Sequence, residues 1–312
     1  MELFFGGTLQ SQPSWVLLLS SVGAFAVLRF SFCVLKWLYI FFLRPDKNLL
    51  DYGRWAVITG ATDGIGKALA FELARRGLNL LLVGRNPDKL SEVTGEIQAQ
   101  VPTVEVQTVV VDLSGDLSKG IRNLETAIEG IDVGVLVNSA GISYRHTMFL
   151  HEVEEDLLMG QLKVNLEALT AVTKAVLRAM LKKKRGAIVN IGSGSTVALP
   201  SHPLLAVYAG QKGNYVDSLS RCLHIEYKEE GIHTQCQVPF YVATKMVAFR
   251  QSSFFSPIPT QYAKSAVKFI GYESRCMTYW PHFLQWCLLT LVPDRIINGF
   301  RLQHGLSRRK KS

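Results

Sequence analysis

The sequence lacks the marks of several protein classes. Its five cysteines, Cys33, Cys222, Cys236, Cys276 and Cys287, are odd in number, widely spread and form no CxxC pair. This excludes a disulfide framework and a cysteine zinc site, and leaves the thiols as small hydrophobic groups in a reducing compartment. There is no internal repeat, no low-complexity tract and no basic stretch interleaved with aromatics, so no nucleic-acid partner is expected. An unbroken apolar run of transmembrane length is missing too. Trp15 to Leu43 is strongly apolar, but Arg29 and Lys36 interrupt it, whereas a clean span needs about 20 uncharged residues. Membrane attachment is still expected. It would be a span whose cations snorkel or face a partner, or a re-entrant or interfacial helix. A cleaved signal peptide is disfavoured, because the chain starts with Glu2 and has no basic n-region.

Arg44, Lys47 and Arg54 follow the apolar run and put the rest of the chain on the cytosolic side by the positive-inside rule. Pro45 to Tyr52 reads as a short polar linker. This gives residues 1–51 as membrane anchor and linker and residues 52–312 as one domain. With 48% hydrophobic residues that domain has material for a sizeable core. The net charge is +9, part of it in the runs Lys182 to Arg185 and Arg308 to Lys311. Anionic lipid or a phosphorylated substrate suits such a balance; the first run reads better as a solvated helix end.

The domain is organised around Thr59-Gly60-Ala61-Thr62-Asp63-Gly64-Ile65-Gly66, between the apolar run Trp55 to Ile58 and a helical pattern, Lys67 to Arg76. Strand, glycine turn and helix make a dinucleotide-binding unit. Gly60 permits the sharp exit from the strand, Gly64 clears space for a pyrophosphate, and Gly66 lets the helix pack closely. The first turn of that helix offers free N–H groups to an anion. Strand patterns follow at Asn79 to Gly84, Glu105 to Val111, Val133 to Val137, Ala187 to Ile191 and Thr234 to Val238. Helical patterns lie between them: Pro87 to Gln100, Leu117 to Glu129, Glu154 to Lys184 with a break near Asn165, and Ala206 to Glu230. The alternation predicts an α/β fold with a doubly wound parallel sheet and ligands at the carboxyl ends of the strands. Gly60, Arg85, Asp112, Asn138 and Ser193 all fall at such ends. Arg85 stands where an acidic residue would select NAD. A guanidinium there suits a 2′-phosphate, hence NADPH, although Asp63 adds negative charge nearby.

Tyr208 and Lys212 lie at i, i+4 on one helical face. An ammonium and an oxidised nicotinamide lower a phenol's pKa, so Tyr208 can give a proton to a carbonyl oxygen as a hydride reaches the carbon. Lys212 also suits the cofactor's ribose hydroxyls. A hydroxyl in Asn190-Ile191-Gly192-Ser193-Gly194-Ser195 can hold the same carbonyl oxygen. Beyond these, Gln261 to Tyr272 reads as a helix on the substrate side. Tyr279 to Val292 is an apolar, aromatic stretch facing membrane or acyl chain, or ordinary core. His282 within it reads as structural. The tail, Arg308 to Ser312, resembles a dibasic retrieval signal.

The glycine turn, Asn138-Ser139-Ala140-Gly141, Asn165, the serine strand and the Tyr208/Lys212 pair resemble the short-chain dehydrogenase/reductase family over about residues 52 to 250. The likeness extends, through the N-terminal apolar segment, Asn86-Pro87-Asp88-Lys89-Leu90, Tyr241-Val242-Ala243-Thr244-Lys245-Met246 and Tyr279-Trp280-Pro281-His282, to the very-long-chain 3-oxoacyl-CoA reductases of the endoplasmic-reticulum fatty-acid elongase. The resemblance implies a Rossmann fold and a Ser193–Tyr208–Lys212 centre. It implies Asn165 holding a water in a proton relay, and Thr244 on the nicotinamide amide. The cofactor residues it implies are Gly60, Thr62, Asp63, Gly64, Ile65, Gly66, Arg85, Asp112, Asn138, Ala140, Gly141, Tyr208, Lys212 and Thr244. It also implies acyl-CoA as substrate, elongase subunits as partners, and residues 273–312 as a C-terminal apolar segment and basic tail. Three readings stay open: this reductase, the same chemistry on a steroid or other lipid ketone, and a paralogue that keeps the fold without turnover.

The sequence departs from the family pattern in places. Ser139 replaces the second asparagine of NNAG. Ser195 lies at the usual distance of thirteen residues before Tyr208, but Ser193 sits at the strand end and is preferred. Gly213 makes the run after Lys212 one residue longer, which turns the following helix or forces a bulge. Phe240 replaces the glycine that usually follows Pro239.

Overall fold

The computed structural model describes residues 13–144, 146–246 and 251–309. Glu2 and Lys310 to Ser312 of the basic tail lie outside the described residues. The chain divides after Pro45 into two units. In the first, helix α1 (Ser14–Leu38) runs on into a π-helical turn, Tyr39–Leu43. The combined helix has 30 residues, a mean hydropathy of 1.9 over its apolar window, and none of that window buried. By length and composition it can cross a membrane. Arg29 and Lys36 break its apolar composition but not the helix.

The second unit carries strands β1 (Trp55–Thr59), β2 (Asn79–Gly84), β3 (Val106–Val110), β4 (Val133–Asn138), β5 (Gly186–Ile191), β6 (Ile232–Gln237) and β7 (Arg275–Cys276). They form one parallel sheet in the order β3-β2-β1-β4-β5-β6-β7. Strands β1, β4 and β5 are buried at every position, as expected for continuous apolar runs covered on both faces. Helices α2 (Gly64–Arg75) and α3 (Pro87–Gln100) share one core with the sheet. Helix α4 (Leu117–Ile128) contributes to a second. Asn86 caps α3, its Oδ1 accepting from Lys89 N at 2.9 Å. The strand order turns back between β1 and β4, which fixes the ligand crevice at their carboxyl ends.

The helical stretch around Asn165 is α5 (Glu155–Leu162) and α6 (Leu169–Lys183), joined by a π-helical turn, Lys163–Ala168, and not by a break. After the short helix α7 (Gly194–Val197), the Tyr208 stretch is α8 (Ala206–Ala209), a π-helical turn, Gly210–Tyr215, and α9 (Val216–Tyr227). The extra residue at Gly213 is thus absorbed as a π-bulge. Val216 and Ser220 beyond it remain fully buried at 0% exposure.

Three features differ from the sequence-based expectation. The segment read as linker is packed: Asp46 pairs with Arg76 at 2.6 Å, Lys47 Nζ donates to the Gly271 carbonyl at 2.5 Å, and Leu49 is buried. Helices α10 (Pro259–Val267) and α11 (Trp280–Leu289) are shorter than the patterns that announced them. A further helix, α12 (Asp294–Arg309), runs through a stretch with no helical reading and takes in Arg308 and Arg309 of the tail. Its inner face buries Ile297 and Gly305 beside polar contacts (Ser201 Oγ donating to Asn298 Oδ1, 2.6 Å; Thr147 Oγ1 donating to the Gly305 carbonyl, 2.9 Å). Such a face shows no apolar stripe in the sequence. In the run Lys182 to Arg185, Lys183 and Arg185 both pair with Asp132, at 2.7 and 3.0 Å, in keeping with a solvated helix end.

Candidate active site

A cleft of about 780 Å³ opens at the carboxyl ends of the strands. Its first wall is the glycine turn. Gly60 has φ +67°, and a Cβ there would lie 2.8 Å from the Ala140 backbone; one at Gly66 would lie 2.3 Å from the Gly60 carbonyl oxygen. Side chains at these points would separate the turn from α2 and from β4. Asp63 caps α2, its Oδ1 accepting from Gly64 N at 2.8 Å, and pairs with Lys245 at 3.0 Å. The partner answers the objection that Asp63 adds uncompensated charge beside a phosphate. The far end holds Arg85, exposed, with Asn86 and Lys89. Asp112 accepts from Ser114 Oγ at 2.6 Å and Ser114 N at 2.9 Å. These bonds first, and the charges of Arg85 and Lys163 after them, hold its carboxyl below the usual range.

At the other end Tyr208 stands half-buried, with its hydroxyl hydrogen-bonded to Ser193. Burial pushes the phenol's pKa up and the Ser193 bond opposes it. Lys212 is almost fully buried, with Nζ 3.3 Å from the Ala140 carbonyl oxygen, and burial pulls its pKa down to about 8. Ser193 also accepts from Ser195 N at 3.2 Å. Ser195 is buried outside the cleft and its Oγ has no partner.

Asn165 does not line the cleft. Its Oδ1 accepts from Ile142 N at 2.9 Å, and its Nδ2 donates at 2.8 Å to the Ile142 carbonyl and to Gln211 Oε1. The side chain therefore ties the loop after β4 to the helix that carries Tyr208 and Lys212. Asn138 also stands behind the cleft. Its Nδ2 donates to Thr173 Oγ1 and to Asn190 Oδ1, both at 2.8 Å, and Asn190 Nδ2 donates to Ser220 Oγ at 2.9 Å. This buried network staples β4, β5, α6 and α9. Gly66 acts behind the wall as well. Thr62, Ile65, Ala140, Gly141 and Thr244 line the cleft. His282 is fully buried, accepts from Phe240 N at 3.3 Å, and has its pKa pulled down to about 4 by burial, a structural position.

Sequence reasoning missed Lys89, Lys245, Gln211 and the fit of Phe240 against Gly194. A Cβ on Gly194 would lie 2.7 Å from the Phe240 ring. The spacing Arg85–Lys89 would have flagged the second cation, four residues on at the first turn of α3. The others are long-range and had no local signal.

The family model for short chain dehydrogenase matches residues 54–253. A very-long-chain 3-oxoacyl-CoA reductase-like protein of Arabidopsis thaliana is 47% identical over 97% of this chain and 98% of its own length. The human very-long-chain 3-oxoacyl-CoA reductase is 36% identical over 83% of this chain and 84% of its own. A human inactive hydroxysteroid dehydrogenase-like protein 1 is 41% identical over 78% and 74%. Among solved structures, a short-chain dehydrogenase from Sphingobium yanoikuyae in complex with NADPH superposes with a TM-score of 0.65 at 25% identity, covering 76% of this chain and 92% of that one. The glycine cradle, the free end of α2 and the Tyr208/Lys212 end fit a nicotinamide dinucleotide cofactor.

Proposed function

This chain belongs to the short-chain dehydrogenase family, and from that premise we propose that it reduces very-long-chain 3-oxoacyl-CoA to 3-hydroxyacyl-CoA with NADPH. The observation that carries this reading is the meeting of Ser193, Tyr208 and Lys212 in the cleft that also contains the glycine turn. Relatives named as reductases of this substrate, similar over most of the chain, support the substrate class. Arg85 and Lys89, with no acidic residue at the end of β2, support NADPH over NADH.

When bound, NADPH supplies the hydride. The raised pKa keeps Tyr208 a protonated phenol at neutral pH, the state from which it gives its proton to the ketone oxygen. Ser193 donates to the same oxygen and sets its position. Lys212, charged below a pKa of about 8, stabilises the phenolate that remains. Asn165 acts as a positioning residue, since its side chain is committed to Ile142 and Gln211. Asn138 serves the cofactor site through the backbone it anchors.

Residues 1–51 serve as the anchor and its connection, and residues 52–312 as the reductase domain, with 273–312 its C-terminal apolar segment and basic tail. The apolar helix and the basic residues after it support attachment to the endoplasmic-reticulum membrane with the domain in the cytosol. Fatty-acid elongase subunits are the expected partners.

The test is NADPH oxidation by the detergent-solubilised protein with a long-chain 3-oxoacyl-CoA, beside NADH and a steroid ketone. Turnover of the acyl-CoA with NADPH is expected. Turnover of the steroid ketone alone would move the substrate to another lipid ketone. A second reading, a reductase-like elongase partner without turnover, is favoured by the human relative named inactive and by Ser139. NADPH binding without oxidation of either substrate would establish it.

A further inference from the structure

The glycine turn that is shaped for an anion carries an acidic residue of its own. Asp63 stands exposed at the N-terminus of α2, and both its oxygens are engaged. Oδ1 accepts from Gly64 N at 2.8 Å, and Oδ2 pairs with Lys245 Nζ at 3.0 Å. A lone carboxylate at this point would repel a diphosphate. The ammonium that offsets it comes from a distant stretch, the loop after β6.

That loop is fixed over the turn by its own contacts. Val242 is buried in the core that contains α2. Ala243 N donates to the Pro257 carbonyl at 2.9 Å, and Thr244 N to the Val242 carbonyl at 2.7 Å. The Thr244 methyl lies 3.3 Å from the point where a Cβ on Gly64 would stand, so the loop packs on the first residue of α2. Lys245 follows directly. Asp63, Gly64, Thr244 and Lys245 all line the one cleft.

Stability does not explain the pair. The Lys245 side chain is 76% exposed and that of Asp63 50%, and so exposed an ion pair contributes little to a fold. Its place in the cleft explains it better. Among the described residues, the cations that line the cleft are Arg85, Lys89, Lys212 and Lys245. Arg85 and Lys89 stand after β2 and in the first turn of α3, and Lys212 is buried against the Ala140 carbonyl. Lys245 is the one tied to the turn. An ammonium has three N–H donors; the contact with Asp63 occupies one and leaves two for oxygen atoms in the cleft.

We propose that Lys245 binds the diphosphate bridge of the dinucleotide cofactor, with Asp63 as the positioning residue that holds the ammonium at the N-terminus of α2. The inference rests on the cofactor part of the reductase reading. It adds a charged side chain to a subsite otherwise made of backbone N–H groups. NADPH and NADH both carry the diphosphate, so Lys245 governs how tightly a dinucleotide is held, whereas Arg85 and Lys89 govern which one.

The experiment reads Kd for NADPH and for NADH from the cofactor's fluorescence, without substrate. It compares wild type, Lys245→Gln, Lys245→Arg, Asp63→Asn and the double variant. Lys245→Gln is expected to weaken both cofactors alike, about tenfold or more, and to flatten the dependence of Kd on salt. Lys245→Arg recovers most of the loss. Asparagine keeps the helix cap, so Asp63→Asn added to Lys245→Gln removes an unpaired carboxylate and restores part of the affinity, while alone it brings no gain. Thermal midpoints of the cofactor-free variants report their folding. Lowered midpoints with both constants unchanged would reduce the pair to a structural contact and overturn the proposal. A loss on NADPH alone would assign Lys245 to the 2′-phosphate, and a raised KM for 3-oxoacyl-CoA with both constants unchanged would assign it to coenzyme A; either overturns it. A wild type that binds NADPH but oxidises it with no ketone would sink the reductase reading without moving these constants. A Lys245→Gln protein that binds both cofactors as tightly as an active wild type would sink this proposal alone, and a wild type that binds neither nucleotide would sink both.

Discussion

The two ends of the cleft are built from different material. At the glycine-turn end the geometry is set by backbone. Gly60 and Gly66 leave no room for a Cβ, and the helix terminus they hold in place meets any bound anion with N–H groups. At the Tyr208 end, side chains from three separate stretches converge: Ser193, Tyr208 with Lys212, and Phe240. Backbone cradles are general and bind whatever carries a pyrophosphate. Side-chain assemblies are particular, and each member can be removed singly. The two ends should therefore separate cleanly under mutation.

The sharpest separation is expected from Tyr208→Phe. Loss of the phenolic proton should lower kcat about 10³-fold or more, while NADPH binding, followed by the cofactor's fluorescence, stays within about twofold. An active phenylalanine variant would remove Tyr208 from the chemistry. The opposite result is expected from Arg85→Ala. One charge-assisted contact is worth roughly 1.5–3 kcal/mol, so KM for NADPH should rise about tenfold or more with NADH unaffected, and Lys89→Ala should act in the same direction more weakly. If neither variant alters the ratio of the two cofactors, the far end of the cleft does not read the 2′-phosphate.

The same contrast explains what the sequence disclosed. The strand-turn-helix at Gly60 and the i, i+4 pair at Tyr208 are local patterns, so their type and place could be read from spacing alone. The sheet followed from apolar runs that must be buried on both faces. What escaped depends on contacts between distant stretches. The inner face of α12 buries one large apolar residue, Ile297, beside Asn298 and Gly305, too few for an apolar stripe, and β7 has only two residues. The residues around Asn165 read as a break, because a π-helical turn shifts the periodicity without ending the helix. The choice between Ser193 and Ser195 rested on the strand end; in the structure Ser193 meets Tyr208 and Ser195 is buried behind it.

Lys212 bridges the two ends and carries a cost. Its pKa falls from 10.5 unfolded to about 8 folded, so the unfolded state holds the proton more tightly. Folding is therefore penalised fully below pH 8, and the penalty is relieved as pH rises from about 8 to 10.5. At 1.36 kcal/mol per unit this amounts to roughly 3 kcal/mol at most. Lys212→Met should lose turnover yet gain about 2 kcal/mol of stability at pH 7 in the cofactor-free protein. That advantage should shrink in denaturant melts taken at pH 9 and 10. A destabilised methionine variant at pH 7 would mean that the ammonium contributes more through the Ala140 carbonyl than burial takes away.

The smallest expected effect probes how the particular end tolerates its own departures. Phe240 stands where the family carries glycine, and its ring fills the space above Gly194, where a Cβ would lie 2.7 Å from Cδ1. The large side chain on one loop and the missing one on the other form a single fitted pair. Gly194→Ala alone should overpack the contact and cost about 1–3 kcal/mol. Phe240→Ala alone should leave a gap beside His282, whose Nδ1 accepts from the Phe240 amide. In the double variant each change relieves the other, and a double-mutant cycle on thermal stability should return a coupling of about 1 kcal/mol. Additive losses would mean that the loop after Ser193 moves freely past residue 240. The serine would then be held only by Tyr208 and the Ser195 amide, and Phe240→Ala would leave kcat unchanged.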